Sequence, residues 1–349
     1  MTDIFAPRGL NKREGEPRID GWVGGRADTW QGHYLDAAAS RADANASEMM
    51  SNRDHAALIA QQLRETDAAI VREERAFDAG LSLHPLTPAI GMEVHGIDMA
   101  DPTDAQAKVI WDLVLEHKVV FFRDQGHITQ EQHMAFAKRF ADIGLAYGRQ
   151  QSLTANPTVN EHPEILKLYS DEARPFAAAN WHSDVTWSNR PPLGSILLSR
   201  KSPEVGGDTM FADSYAHWHV LSPVLREFLE GRFATHGRAG RDEVEHPICR
   251  THPETGRKAL YINPTFTNAI LGMEPADSAR LLAQLYAKMY STPEHCCRFR
   301  WREGSVAMWD NRSCQHYAVA DFWPHDLSLI HISEPTRQAE ISYAVFCLK

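Results

Sequence analysis

No stretch of this 349-residue chain carries 18 consecutive apolar residues, so no segment reads as a membrane span. A dense Lys/Arg cluster is also missing, and 36 Lys and Arg against 46 Asp and Glu leave a net charge of −10, which argues against nucleic acid as a partner. Cysteine is sparse. Five residues (Cys249, Cys296, Cys297, Cys314 and Cys347) form no regular framework, as suits a reducing compartment. The adjacent pair Cys296-Cys297 lacks the wider spacing and nearby partners of a zinc site and is read as structural. Met1 to Gly15 contains no apolar core of a secretory signal, so a cytoplasmic location is expected. Histidine is plentiful, at 18 copies, which directs attention to metal or proton chemistry. With hydrophobic residues at 43% and charged residues at 23%, the rest is an ordinary globular composition.

The chain falls into three parts. Residues 1–80 read as a loosely ordered arm followed by an amphipathic helix over Asn52–Phe77, and no chemistry is assigned to them. The compact domain is expected to start near Leu81 and run to Asp326. Within it a helix is predicted over Asp104–His117, then the apolar run Val119–Phe122 as a buried strand, then a helix opened by the capping pair Thr129 and Gln132. Downstream, short strands are expected at Ser195–Leu198, Asp208–Ala212, Lys258–Ile262, Arg298–Arg302 and Val306–Trp309, with helices at Pro223–Phe233 and Asp277–Tyr290. In Arg298–Arg302 the alternation puts Phe299 and Trp301 on one face and three arginines on the other. Many short strands with few helices indicate a mainly β fold, a barrel or jelly roll flanked by α-helices.

The chemically informative stretch is Trp181-His182-Ser183-Asp184-Val185-Thr186. On an extended strand His182 and Asp184 point the same way, which supplies two members of the 2-His-1-carboxylate triad that holds Fe(II) and leaves coordination positions open. Alone, His-x-Asp is not diagnostic in so histidine-rich a chain. A third ligand must come from a distant strand, and His316, in Gln315-His316-Tyr317, is one candidate.

Taken together, Val119–Gln125, Trp181–Thr186, Gly206-Gly207-Asp208-Thr209, His252-Pro253, Trp309-Asp310-Asn311-Arg312 and Gln315–Tyr317 resemble the taurine dioxygenase (TauD/TfdA) family of Fe(II)/2-oxoglutarate-dependent dioxygenases, in family order from about Leu83 to Asp326. The resemblance implies a double-stranded β-helix core and His182, Asp184 and His316 as iron ligands. It also implies Thr209, 27 residues after His182, as a 2-oxoglutarate contact, and Phe266 as a wall of the substrate pocket. The implied cofactors are Fe(II), 2-oxoglutarate as cosubstrate, and O2. The implied partner is a small anionic molecule (a sulfonate, sulfate ester or carboxylate), with succinate and CO2 as coproducts; assembly of like chains is left open. A cupin-like metal-binding barrel without turnover, or an inactive truncated dioxygenase, is the alternative, separated by coupled loss of 2-oxoglutarate and gain of succinate.

Two departures stand out. The positions that in the family hold a histidine and an asparagine against the substrate anion are Ala146 and Ala178, so taurine itself is not expected. The resemblance also implies an arginine 15 residues after the last iron histidine, on a final core strand, to pair with the distal carboxylate of 2-oxoglutarate, yet that position is His331, and beyond Asp326 Arg337 is the only arginine. Leu327–Arg337 reads back through the genetic code as the transposase-end adapter of short-read sequencing libraries, and Ile341–Leu348 as a flow-cell primer. Residues 327–349 are therefore expected to be translated adapter, not native sequence.

Overall fold

The computed structural model describes residues 71–140, 158–159, 162–170, 180–238, 242–322 and 327–335. The chain divides into two units, Met1–Ile70 and Val71–Lys349, and all of the first lies outside the described residues. So do residues 52–70 of the expected first helix, while 71–78 are helical.

The strands are β1 (Ser82–Pro85), β2 (Met92–His95), β3 (Val119–Phe122), β4 (Thr158–Val159), β5 (His162–Ser170), β6 (Pro192–Lys201), β7 (Thr209–Asp213) and β8 (Phe233–His236). They continue with β9 (Val244–Pro247), β10 (Cys249–Thr251), β11 (Lys258–Leu260), β12 (Thr267–Ile270), β13 (Cys296–Phe299), β14 (Val306–Asp310), β15 (Cys314–Ala318) and β16 (Leu327–Pro335). The helices are α1 (Asp104–His117), α2 (Gln130–Ala137), α3 (Ser214–His219), α4 (Pro223–Leu229) and α5 (Pro275–Tyr290). An eight-stranded sheet runs β1-β2-β3-β14-β6-β16-β5-β4, and a three-stranded sheet runs β13-β7-β15. The fold is mainly β with flanking helices.

The run Val119–Phe122 shows why these layers form. Val119 and Phe121 enter a core shared by the two sheets, with Leu197, Ala307 and Trp309 from the large sheet and Phe211, Cys297 and Phe299 from the small one. Val120 and Phe122 enter a second core with Ile110, Leu113 and Val114 of α1 and Phe136 of α2. A strand buried on both faces must be apolar throughout, which a four-residue run satisfies. Phe121 stacks on Phe299 with ring centroids 4.0 Å apart, fastening sheet to sheet. Both predicted capping residues at α2 act as expected: Thr129 accepts from the Gln132 amide, and Gln132 Oε1 accepts from the Thr129 amide.

Three expected boundaries are corrected. The helix predicted over Pro223–Phe233 stops at Leu229, because Gly231 turns the chain at φ 75° and Phe233 opens β8. The helix predicted from Asp277 starts at Pro275, capped by Glu274, whose carboxylate accepts from the amides of Ala276 and Asp277. The ladder predicted over Arg298–Arg302 ends at Phe299, although the alternation persists, with Phe299 and Trp301 buried and the arginines exposed.

Candidate active site

β15 brings His316 opposite Phe211 of β7. His316 also forms an isolated antiparallel bridge with His182, in which each backbone amide donates to the other's carbonyl, at 3.0 and 2.8 Å. The main chain therefore sets the two imidazoles side by side, ring centroids 4.1 Å apart. Asp184, two residues on, joins them from the same side. Nε2 of His182 and Nε2 of His316 each lie 3.7 Å from Asp184 Oδ1. Ligands at about 2.1 Å from one ion stand about 3.0 Å apart at right angles and about 4.2 Å apart when opposed, so 3.7 Å falls within the span an ion can bridge. Among the described residues this is the one group of three potential ligands whose donor atoms lie within 4.8 Å of one another.

The supporting shell orients these donors. His182 Nδ1 is 2.9 Å from the Asn180 carbonyl; Nδ1 therefore carries the proton, and the Nε2 lone pair is turned to the cluster. Ser195 donates to Asp184 Oδ2 at 2.6 Å, and Asn311 Nδ2 donates to Ser195 Oγ at 2.9 Å. Asn311 Oδ1 accepts from Trp309 Nε1 at 2.9 Å. Every proton in this relay has a fixed direction, and it leaves Oδ1 as the carboxylate atom between the histidines. We expect Ser195→Ala to weaken divalent-metal binding about 10- to 100-fold while costing only about 1 kcal/mol of stability. A Mn(II) titration of both chains checks this, and equal affinities would remove Ser195 from the site.

The turn after Asp184 is strained. Val185 has φ 54°, an outlier for a β-branched residue. It is held by the next side chain: Thr186 Oγ1 accepts from Asn263 Nδ2 at 3.1 Å and lies 3.0 Å from His236 Nδ1. Burial, and secondarily the neighbouring His246, pushes His236 down to about 3, so it works as a neutral hydrogen-bonding ring. On the reverse face of the histidine bridge, Trp181 stacks on Tyr290 of α5 at 4.7 Å and meets Tyr317 at 5.5 Å, clamping the bridge to the helix.

Phe266 stands edge-on to the His182 ring at 6.1 Å. Its loop is closed by Phe266 N–H donating to Asn263 Oδ1 and tied to Trp181 by Thr265 Oγ1 donating to the Trp181 carbonyl. Thr209 lies on β7 two residues before Phe211, on the strand face that looks toward His316. It is buried, and its hydroxyl accepts from Trp301 Nε1 at 2.9 Å, which leaves the hydroxyl proton to donate. Ala146 and Ala178 lie outside the described residues. Sequence reasoning missed Ser195, the role of Asn311, and the Thr186–His236–Asn263 support. The available signal was a lone serine inside the apolar run Pro192–Leu198.

Comparison with known proteins identifies the family. The family model "Taurine catabolism dioxygenase TauD, TfdA family" matches residues 82–332. An alkylsulfatase of Acinetobacter baylyi is 33% identical over 69% of this chain and 81% of its own. An α-ketoglutarate-dependent sulfate ester dioxygenase of Pseudomonas putida is 32% identical over 74% of this chain and 89% of its own. The crystal structure of a taurine dioxygenase from Burkholderia xenovorans superposes with a TM-score of 0.66 at 35% identity, covering 73% of this chain and 91% of that one. No helix among the described residues is long and apolar enough to cross a membrane. The chain belongs to the TauD/TfdA family and is a dioxygenase that acts on a small molecule with Fe(II), 2-oxoglutarate and O2.

Proposed function

We propose that His182, Asp184 and His316 hold the Fe(II), that Thr209 donates to a carboxylate of 2-oxoglutarate, and that Phe266 walls the substrate space, all on a double-stranded β-helix core formed by the two facing sheets. The observation that carries this reading is the convergence of both Nε2 atoms on one oxygen of Asp184, each at 3.7 Å. The donor set, two imidazoles and one carboxylate, is one that would hold Fe(II). When bound, the iron supplies O2 activation coupled to decarboxylation of 2-oxoglutarate. The chain's own residues fix the donors, orient Asp184 through Ser195, and present an apolar ring beside His182 that excludes water from the reacting carbon.

The substrate class we favour is a small sulfate ester or sulfonate, in line with the relatives named above. Hydroxylation of the carbon bearing a sulfate oxygen gives a hemiacetal-type ester that breaks to an aldehyde and inorganic sulfate, so sulfate release reports the reaction. The test is a panel of alkyl sulfates, alkyl sulfonates and phenoxy carboxylates scored for succinate, using a chain with an arginine-bearing ending. Succinate formation with a member of the panel is expected, together with its loss, and loss of tight Mn(II) binding, in His316→Ala. Full metal affinity in that variant would overturn the ligand assignment.

We also propose that residues 327–349 are translated adapter, that 81–326 form the dioxygenase domain, and that the chain as written binds 2-oxoglutarate weakly.

A further inference from the structure

A second pair of histidines stands outside this site, on the hairpin of β1 and β2. The antiparallel register sets Ser82 opposite His95 and His84 opposite Glu93. Side chains at alternate positions share a face, so Ser82, His84, Glu93 and His95 form a square on one side of the hairpin, while Val94 turns to the buried side. His84 and His95 are exposed and open to solvent.

The side chains of the square lie close enough to share an ion once the two exposed rings turn toward Glu93, although their donor atoms do not converge as they stand. The two ring planes are inclined at 61° with centroids 4.6 Å apart. An ion about 2.1 Å from a ring nitrogen lies about 3.2 Å from the ring centre, so two imidazoles at right angles around one ion have centres about 4.5 Å apart. The pair at the iron site has the similar spacing of 4.1 Å. His95 Nε2 lies 2.8 Å from Glu93 Oε1, close to the separation of adjacent ligands on one ion. Glu93 is itself held in place: Arg123 Nε and its terminal nitrogen both contact Oε2 at 3.0 Å, which leaves Oε1 facing His95. His84 Nε2 lies 3.3 Å from Ser82 Oγ, so this exposed ring makes one long hydrogen bond that a metal would replace.

We propose that His84, His95 and Glu93 form a second site, for a divalent late transition metal. Two imidazoles and a carboxylate oxygen, with solvent completing the shell, bind divalent transition metals in an affinity order that Cu(II) heads. The site needs no rearrangement of the backbone, only rotation of two surface rings.

The test uses the full chain and Cu(II) alone. Equilibrium dialysis is expected to find two tightly bound equivalents. One should remain when His316→Ala disables the buried cluster, with electron paramagnetic resonance showing two nitrogen ligands. Adding His84→Ala or His95→Ala to that chain should weaken the remaining equivalent at least about tenfold, and each of these alone should leave one equivalent, since exposed substitutions of this kind spare the fold. An unchanged Cu(II) stoichiometry and affinity in both single variants, or a spectrum with one nitrogen, would overturn the proposal.

Discussion

An ending that places an arginine on the inward face of β16 is expected to tighten 2-oxoglutarate binding by about two to four orders of magnitude relative to the chain as written. β16 lies between β6 and β5, and its inward residues Leu327 and Leu329 are buried in the core with Phe211 and Trp309, the two rings that flank His316 at 6.2 and 4.8 Å. A guanidinium supplied from this face can fork onto a carboxylate with two parallel hydrogen bonds. Without that arginine the distal carboxylate lacks its fork, and a buried charge lacking its partner costs about 3–5 kcal/mol. Arg298, across the ladder from Met210 beside Thr209, is already committed to Asp208 and Asp321. Calorimetric titration of 2-oxoglutarate into the Mn(II)-loaded proteins measures the difference. Ordinary affinity in the chain as written would show that the segment from Leu327 onward already serves.

Arg312→Ala is expected to cost about 3–5 kcal/mol of folding stability. Asp310 is completely buried. Its Oδ1 accepts from Arg312 N and Nε, each at 2.8 Å, and its Oδ2 from an Arg312 terminal nitrogen at 2.7 Å and from His252 Nε2 at 2.9 Å. His252 is fixed in that role because its Nδ1 accepts the amides of Glu254 and Thr255. Burial pushes the Asp310 carboxyl up, but Arg312 and His252 outweigh it and hold the group well below the usual carboxylate range. A depressed carboxylate stabilises the fold above the unfolded value of about 4, and that contribution is lost as pH falls toward the folded value. Without Arg312 the balance reverses: burial dominates, Asp310 takes a proton on folding, and the deficit should be smaller at pH 4 than at pH 7. Urea unfolding at the two pH values measures both effects. A loss under about 1 kcal/mol, or one independent of pH, would show that the ion pair contributes little. Arg312→Lys should recover only part of the loss, since an ammonium cannot reproduce the fork.

How legible this was differed by kind of feature. Val119–Phe122 and the Thr129–Gln132 capping pair could be read directly, because local composition and spacing decide them. His182 and Asp184 could be paired from strand periodicity alone. His316 could not, since the bridge to His182 joins residues 134 positions apart (316 − 182) and no local pattern encodes it; the family resemblance supplied it. Ser195 was invisible for a related reason. Its role exists only because β6 lies against β14, pairing Ser195 with Trp309 two residues before Asn311. The helix expected over Pro223–Phe233 ends early, at Leu229, because the positive φ of Gly231 turns the chain and frees Phe233 for the sheet.

The His182–His316 bridge also bears on how such an enzyme is maintained. Its two main-chain hydrogen bonds need no ion, and Ser195 and Asn311 hold Asp184 in the same way. On the proposed ligand assignment, metal is received by a site whose donors the main chain already holds together, unlike a zinc finger, whose fold depends on its ion. Iron lost to oxidation or to a chelator would then be replaced without unfolding the protein, so the lifetime of the polypeptide would be uncoupled from the lifetime of any one iron atom within it.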